Sequence, residues 1–152
     1  GLVIRSILFR MNARENRNII PWVTYTAPEM AHVGLNEEQA KQTHRDIRIL
    51  RWPYGENDRA QAERKTAGLI KVVTDKRGNI LGASIVGENA GEMINMWSLI
   101  ISQKMNVKAI TGFVSPYPTL SEIGRRAAIS YYGDLPKKPM IRRTISFFKF
   151  FG

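Results

Sequence analysis

Two strand-forming runs, Leu69-Ile-Lys-Val-Val-Thr74 and Asn79-Ile-Leu-Gly-Ala-Ser-Ile-Val86, stand on either side of Asp75-Lys-Arg-Gly78. Four turn-forming residues leave the chain only enough length to reverse on itself. The spacing therefore predicts a hairpin and commits the fold to antiparallel pairing. Gly82, Ala83 and Ser84 carry little side chain, so a helix is expected to lie close against the second strand. The next segment, Met93 to Met105, is apolar at positions 93, 94, 96, 97, 99, 100, 101 and 105. That stripe is too wide for a surface helix, and it predicts burial on more than one side, by the core and, as one option, by a second subunit. Its Met and Trp side chains read as core rather than as a cofactor box.

The remaining segments fill in around this hairpin and helix. Trp22–Thr26 is rich in strand formers and fenced by Pro21 and Pro28. Asn36 has the acids Glu37 and Glu38 after it and Gln39 at the third position, which predicts a helix start running to about Thr43. Asp46–Tyr54 alternates like a strand and is ended by Pro53 and Gly55, while 57–65 reads as a turn or short helical piece. From Leu120 to about Tyr131 the pattern is an amphipathic helix, with Ile123, Ala127, Ala128 and Tyr131 on one side and Arg125 and Arg126 toward water. The order predicts an α+β domain: an antiparallel sheet of about four strands with helices packed on one face. Gly87-Glu-Asn-Ala-Gly91 leads into a helix and could cradle a phosphate, but Glu88 and Glu92 would repel one. Close helix-strand packing is the expected use of those glycines, with Asn89 and Glu92 at capping-box spacing.

At 152 residues the chain is long enough for one domain with a proper core. It has no cysteine, hence no disulfide framework and no redox dithiol of its own. His32 and His44 lack metal-ligand spacing, so no metal site is expected. No apolar run approaches the roughly 20 residues of a membrane span, and a cytoplasmic setting is the default expectation. The net charge of +10 belongs to the two ends. Residues 1–18 carry Arg5, Arg10, Arg14 and Arg17 against Glu15, and 135–152 carry five bases and no acid. The body between is almost neutral, which argues against a nucleic-acid-binding face. The expected division is residues 1–19 as a helix and linker from a preceding domain, 20–133 as the folded domain, and 134–152 as a basic aromatic tail. That tail suits an anionic membrane surface, a dock on another domain, or an uncapped end.

The stretch Ser115-Pro-Tyr-Pro-Thr-Leu-Ser-Glu122 is where function is expected. Two prolines hold the approach to the last helix stiffly, and Tyr117-Pro118 is a candidate cis peptide. Thr119 and Glu122 have capping-box spacing. Alternatively, Tyr117 and Glu122 form a polar pair delivered to a partner's active site. Local sequence leaves both readings open.

Several motifs in order and spacing carry a resemblance: 21–35 (Pro-Trp-Val-Thr-Tyr-Thr-Ala-Pro-Glu-Met-Ala-His-Val-Gly-Leu), Asn57-Asp-Arg-Ala60, the 82–92 run and Tyr117-Pro-Thr-Leu-Ser-Glu122. Together they resemble the C-terminal dimerisation (interface) domain of the pyridine nucleotide-disulphide oxidoreductases, in its mercuric reductase and dihydrolipoamide dehydrogenase-like members. The resemblance implies an α+β interface domain within a longer FAD- and NAD(P)-dependent oxidoreductase that works as a homodimer. It also implies that the missing FAD and NAD(P) domains belong to the same polypeptide. In that family a His-Pro dipeptide sits near the partner's flavin, a Glu a few residues on orients the His, and the His is base toward a cysteine pair. By position these are Tyr117, Pro118 and Glu122. A phenol titrates near ~10 and an imidazole near ~6.5, so Tyr117 is a poor acceptor for a thiol proton at neutral pH. The family's members reduce varied substrates, and this swap points to a metal ion, quinone or oxidant. With no strand–GxGxxG–helix unit, the chain alone is expected to bind neither FAD nor NAD(P) and to be inactive. The competing reading is a free-standing interaction module that meets a membrane or nucleic acid through its basic ends.

Overall fold

The computed structural model describes residues 19–133 continuously, plus single positions 4, 7, 8, 10, 139, 143, 146 and 147. The helix and linker expected over 1–19 and the tail 134–152 fall largely outside the described residues. In chain order the elements are β1 (Trp22–Thr24), β2 (Glu29–Gly34), α1 (Glu37–Thr43), β3 (Ile47–Pro53), a 3-10 turn (Tyr54–Glu56) and α2 (Asp58–Glu63). They continue with β4 (Leu69–Asp75), β5 (Ile80–Gly87), α3 (Ala90–Ser102), α4 (Val107–Gly112) and α5 (Glu122–Ser130).

The β4–β5 hairpin forms as its spacing requires. Asp75 Oδ1 accepts the backbone N–H of Arg77 and of Asn79, both at 2.8 Å, and Gly78 takes the left-handed φ of +88° that the reversal needs. This pair is the centre of a five-stranded, wholly antiparallel sheet ordered β1-β2-β5-β4-β3. The strand beyond the four expected is β2. Its Glu, Ala, His and Gly are weak strand formers, and Pro28 hid its start. Tertiary pairing overrides that local weakness: Ala31 and Val33 are fully buried and paired to Ile85 and Ala83.

One sheet face holds the core. Ile70, Val72, Ala83 and Ile85 meet Ile94, Trp97, Ile100 and Ile101 of α3, and Ile123, Ala127 and Ala128 of α5. Burying side chains such as Ile94 contributes about 1.5–3 kcal/mol each. Trp97 is enclosed by the sheet and α5, so much of the wide apolar stripe of α3 is covered within the domain; Leu99 remains exposed. Gly124 makes the α3–α5 approach possible, because a Cβ there would lie 2.9 Å from Cζ2 of Trp97.

The Asn89/Glu92 capping box does not form: Asn89 sits in the left-handed region and makes no side-chain cap. Instead Glu29 of β2 accepts the Gly91 N–H at 2.8 Å. A carboxylate thus already occupies the spot where a phosphate cradle was weighed. The close approach to Gly82 comes from the backbone of Leu35 rather than from a helix.

On the opposite face α1 covers one end of the sheet. Its Asn36–Gln39 capping box is complete, Ala40 and Val73 are buried, and Glu37 draws Lys41, Arg51 and Lys71 together. Beside it Trp22, Met30, His32, Lys71 and Ser84 line an open depression of about 490 Å³. His32 Nε2 donates to the Gly34 carbonyl at 2.9 Å, which leaves Nδ1 to accept from the Ser84 hydroxyl, also at 2.9 Å.

Two outcomes follow from these contacts. Gly124→Ala drives a methyl group into the enclosed Trp97 ring and should cost about 1–3 kcal/mol in denaturant unfolding. Burial first, and Lys71 in addition, hold the His32 pKa below its ordinary value, against an opposing pull from the Gly34 carbonyl. The native chain therefore binds fewer protons than the unfolded one below about pH 6.5, and stability is lost as pH falls through that value. Unfolding curves compared between about pH 7.5 and about pH 5.5 should show a smaller acid loss for His32→Gln than for the wild type.

Candidate functional site

The loop between α4 and α5 is exposed at its tip yet held from several sides. Its Tyr117–Pro118 peptide is cis. Thr119 turns its hydroxyl back to donate to the Pro116 carbonyl at 2.8 Å and shares a 3.0 Å bond with Ser121 Oγ. The capping box expected from Thr119 and Glu122 is therefore absent. Helix α5 begins at Glu122 behind Ser121, which makes no side-chain cap. The physical reason is the tight local turn, in which the Thr119 hydroxyl finds a nearer acceptor than the helix start offers a donor.

The main tether comes from a segment about sixty residues away in sequence. Asn57 is 4% exposed and serves two masters with one amide. Its Oδ1 caps α2 by accepting the Ala60 N–H at 2.9 Å, and its Nδ2 donates to the Thr119 carbonyl at 3.0 Å. The next residue, Asp58, accepts the Tyr117 hydroxyl on Oδ2 at 3.0 Å. Behind the loop, Arg125 Nε donates to the Phe113 carbonyl at 3.1 Å. The Asn57-Asp58 pair thus clamps the Tyr117-Pro118-Thr119 segment at two successive points.

Glu122, the partner weighed from sequence, does not take the Tyr117 hydroxyl; Asp58 does. Glu122 lies half-buried at the start of α5, and its charge still reaches the ring. Asp58 escaped sequence reasoning because an acid in the first turn of a helix already has a local use. Nothing nearby in the chain signals the loop it meets. The hydrogen bond to Asp58, then the Asp58 charge, slight burial and the Glu122 charge all push the Tyr117 pKa up. The phenol keeps its proton at neutral pH and spends it on Asp58, so its oxygen lone pairs are what it offers outward.

Around the tip the surface is apolar. Val114 is 87% exposed and Tyr117 69%, with Phe113 also exposed. An open depression of about 390 Å³ beside Pro118 is lined by Arg59, Glu92, Met93, Thr119 and Leu120. It shares no residue with the His32 depression. Among the described residues, no three His, Cys, Asp or Glu side chains come together as a metal site.

The double role of Asn57 is separable. Asn57→Ala loses the α2 cap, about 1 kcal/mol, and the bond to Thr119, about 1 kcal/mol more. Asn57→Asp keeps an acceptor for the cap but has no donor for Thr119. Urea unfolding should therefore rank wild type above Asn57→Asp above Asn57→Ala, and amide exchange across 115–121 should quicken in both variants. Unchanged exchange in both would show that the Thr119 bond holds nothing.

Comparison with known proteins agrees with this architecture. The family model described as "Pyridine nucleotide-disulphide oxidoreductase, dimerisation domain" matches residues 20–128. A mercuric reductase of Bacillus cereus is 33% identical over 138 residues, covering 90% of this chain and 22% of that protein. The mitochondrial dihydrolipoyl dehydrogenase of Caenorhabditis elegans is 39% identical over 116 residues, covering 76% of this chain and 23% of that protein. Among solved structures, the HOCl-induced flavoprotein disulfide reductase RclA of Escherichia coli, in its Cu(II) complex, superposes with a TM-score of 0.75. It is 25% identical and covers 83% of this chain and 29% of that one. LpdA of Mycobacterium tuberculosis shares the fold with a TM-score of 0.78 at 21% identity, covering 84% of this chain and 28% of that one. The chain thus spans about a quarter of the length of the curated relatives it matches. The chain belongs to the dimerisation-domain family of the pyridine nucleotide-disulphide oxidoreductases.

Proposed function

We propose that this chain is the interface domain of an FAD- and NAD(P)-dependent oxidoreductase. In this reading it forms the homodimer and completes the partner subunit's active site with Tyr117, Pro118 and Glu122. The observation that carries the reading is a surface loop that is both exposed and tied down. A 69% exposed tyrosine would ordinarily be free to wander, whereas Tyr117 is held by Asp58 and its loop by Asn57. Such pre-ordering lowers the entropic cost of presenting a group to a partner. Val114, Phe113 and Leu99 supply apolar surface of the kind a two-fold contact covers.

A flavin held in the partner's FAD domain would supply the electron transfer; this chain's part is to shape the wall beside it. Tyr117 offers an aromatic edge and a fixed hydroxyl, Pro118 keeps the backbone in place, and Glu122 adds negative charge behind the ring. The arrangement differs from a neutral imidazole in one decisive respect. A protonated phenol cannot take a thiol proton for itself near pH 7. The parent enzyme is accordingly read as reducing a metal ion or an oxidant rather than an ordinary dithiol-disulfide couple. Similarity to mercuric reductases supports a metal ion as substrate.

Two measurements test the reading. Sedimentation equilibrium of the chain should give a dimer that persists from low to high salt, because apolar burial is not screened. A monomer with salt-sensitive binding to polyanions would favour the free-standing module instead. In the holoenzyme, Tyr117→His should raise disulfide reductase activity at neutral pH by about tenfold or more. Unchanged disulfide reduction would remove the significance assigned to the tyrosine.

A further inference from the structure

We infer that Asp58 is a positioning residue that makes Tyr117 a proton acceptor, by holding the phenolic hydrogen inward and receiving it when a proton arrives from outside. This rests on the proposed placement of Tyr117 at the partner's active site. A tyrosine has one hydrogen and two lone pairs on its oxygen. With the hydrogen committed to Asp58 Oδ2 at 3.0 Å, the lone pairs are left for whatever faces the loop. The same oxygen without Asp58 would present a donor there.

The transfer balances without any further reagent. A thiol on the facing subunit gives its proton to Tyr117 Oη while the phenolic proton passes to Asp58 Oδ2. The S–H electron pair stays on sulfur as thiolate, Tyr117 ends neutral as it began, and Asp58 ends as the carboxylic acid. Deprotonation of Tyr117 to phenolate is never required. That matters because both Asp58 and Glu122 oppose a phenolate at this position. A carboxylate is a weak base, roughly four pH units below an ordinary thiol. The relay therefore suits a thiol made acidic by a soft metal ion, which favours the thiolate. A free dithiol would leave it nearly idle.

The surroundings fit a carboxylate that accepts from Tyr117. Asp58 is the first residue of α2, where the helix N-terminus favours negative charge. Its neighbour Arg59 is engaged with Glu63 one turn on. The charged groups acting on Tyr117 are Asp58 from α2 and Glu122 from α5. Asn57 holds the Tyr117 loop against α2 through the Thr119 carbonyl.

The test uses mercuric ion as substrate in the holoenzyme, with Tyr117→Phe, Asp58→Asn, Asp58→Glu and the Tyr117→Phe/Asp58→Asn double variant. Asp58→Asn should lower turnover by about tenfold or more and remove the acid limb of the pH profile, while Asp58→Glu restores both. The double variant should lose no more than Tyr117→Phe alone, since the two groups act in series. In the chain itself, Asp58→Asn should bring the Tyr117 titration, followed by ring carbon NMR, down toward an ordinary phenol. Full turnover in Tyr117→Phe would overturn the placement of the loop. A damaged Tyr117→Phe beside an unimpaired Asp58→Asn, or additive losses in the double variant, would overturn the relay and leave the placement standing.

Discussion

The fit of Trp97 between the sheet and α5 is the contact on which the rest of the domain depends. It needs no side chain at all at Gly124. Helix α5 can then lie close enough for Ile123 and Ala127 to join the same core, and its first residue is set at the foot of the Tyr117 loop. Interiors pack as densely as molecular crystals, so a shift of α5 would carry the loop with it. The core and the candidate site are in this sense one construction.

Much of the fold was legible because its strongest elements announce themselves locally. The Asp75–Gly78 reversal, the Asn36 cap and the amphipathic spacing from Leu120 onward each have a chemical signature within a few residues. What stayed hidden was set by contacts between distant segments. Strand β2 exists because β5 pairs with it, in spite of its own composition. Helix α4 is a single short turn-rich element begun by Asn106, too brief to show a period. At the start of α3 a carboxylate from β2, Glu29, takes the Gly91 N–H, while Thr119 turns to the Pro116 carbonyl on the other side of it in the chain.

The same division holds at the site. The proline-flanked tyrosine stood out in the sequence, and the family resemblance gave its place. Its hydrogen-bond partner did not stand out, since Asp58 and Tyr117 are 59 residues apart in the chain. Only the folded chain brings Asn57 and Asp58 against the loop, and that meeting changes the chemistry offered. An isolated phenol is a donor; one whose hydrogen is already bound inward is an acceptor.

Asn57 carries a consequence for the lifetime of the molecule. Its two bonds ask for a donor and an acceptor on one short side chain, and the asparagine amide supplies them on separate atoms. Direct hydrolysis of that amide to aspartate would keep the oxygen acceptor that starts the helix. The cap would survive and the tether would be cut. An aged molecule would keep its shape while its loop loosened, so chemical wear here would surface as fading function well before any loss of fold.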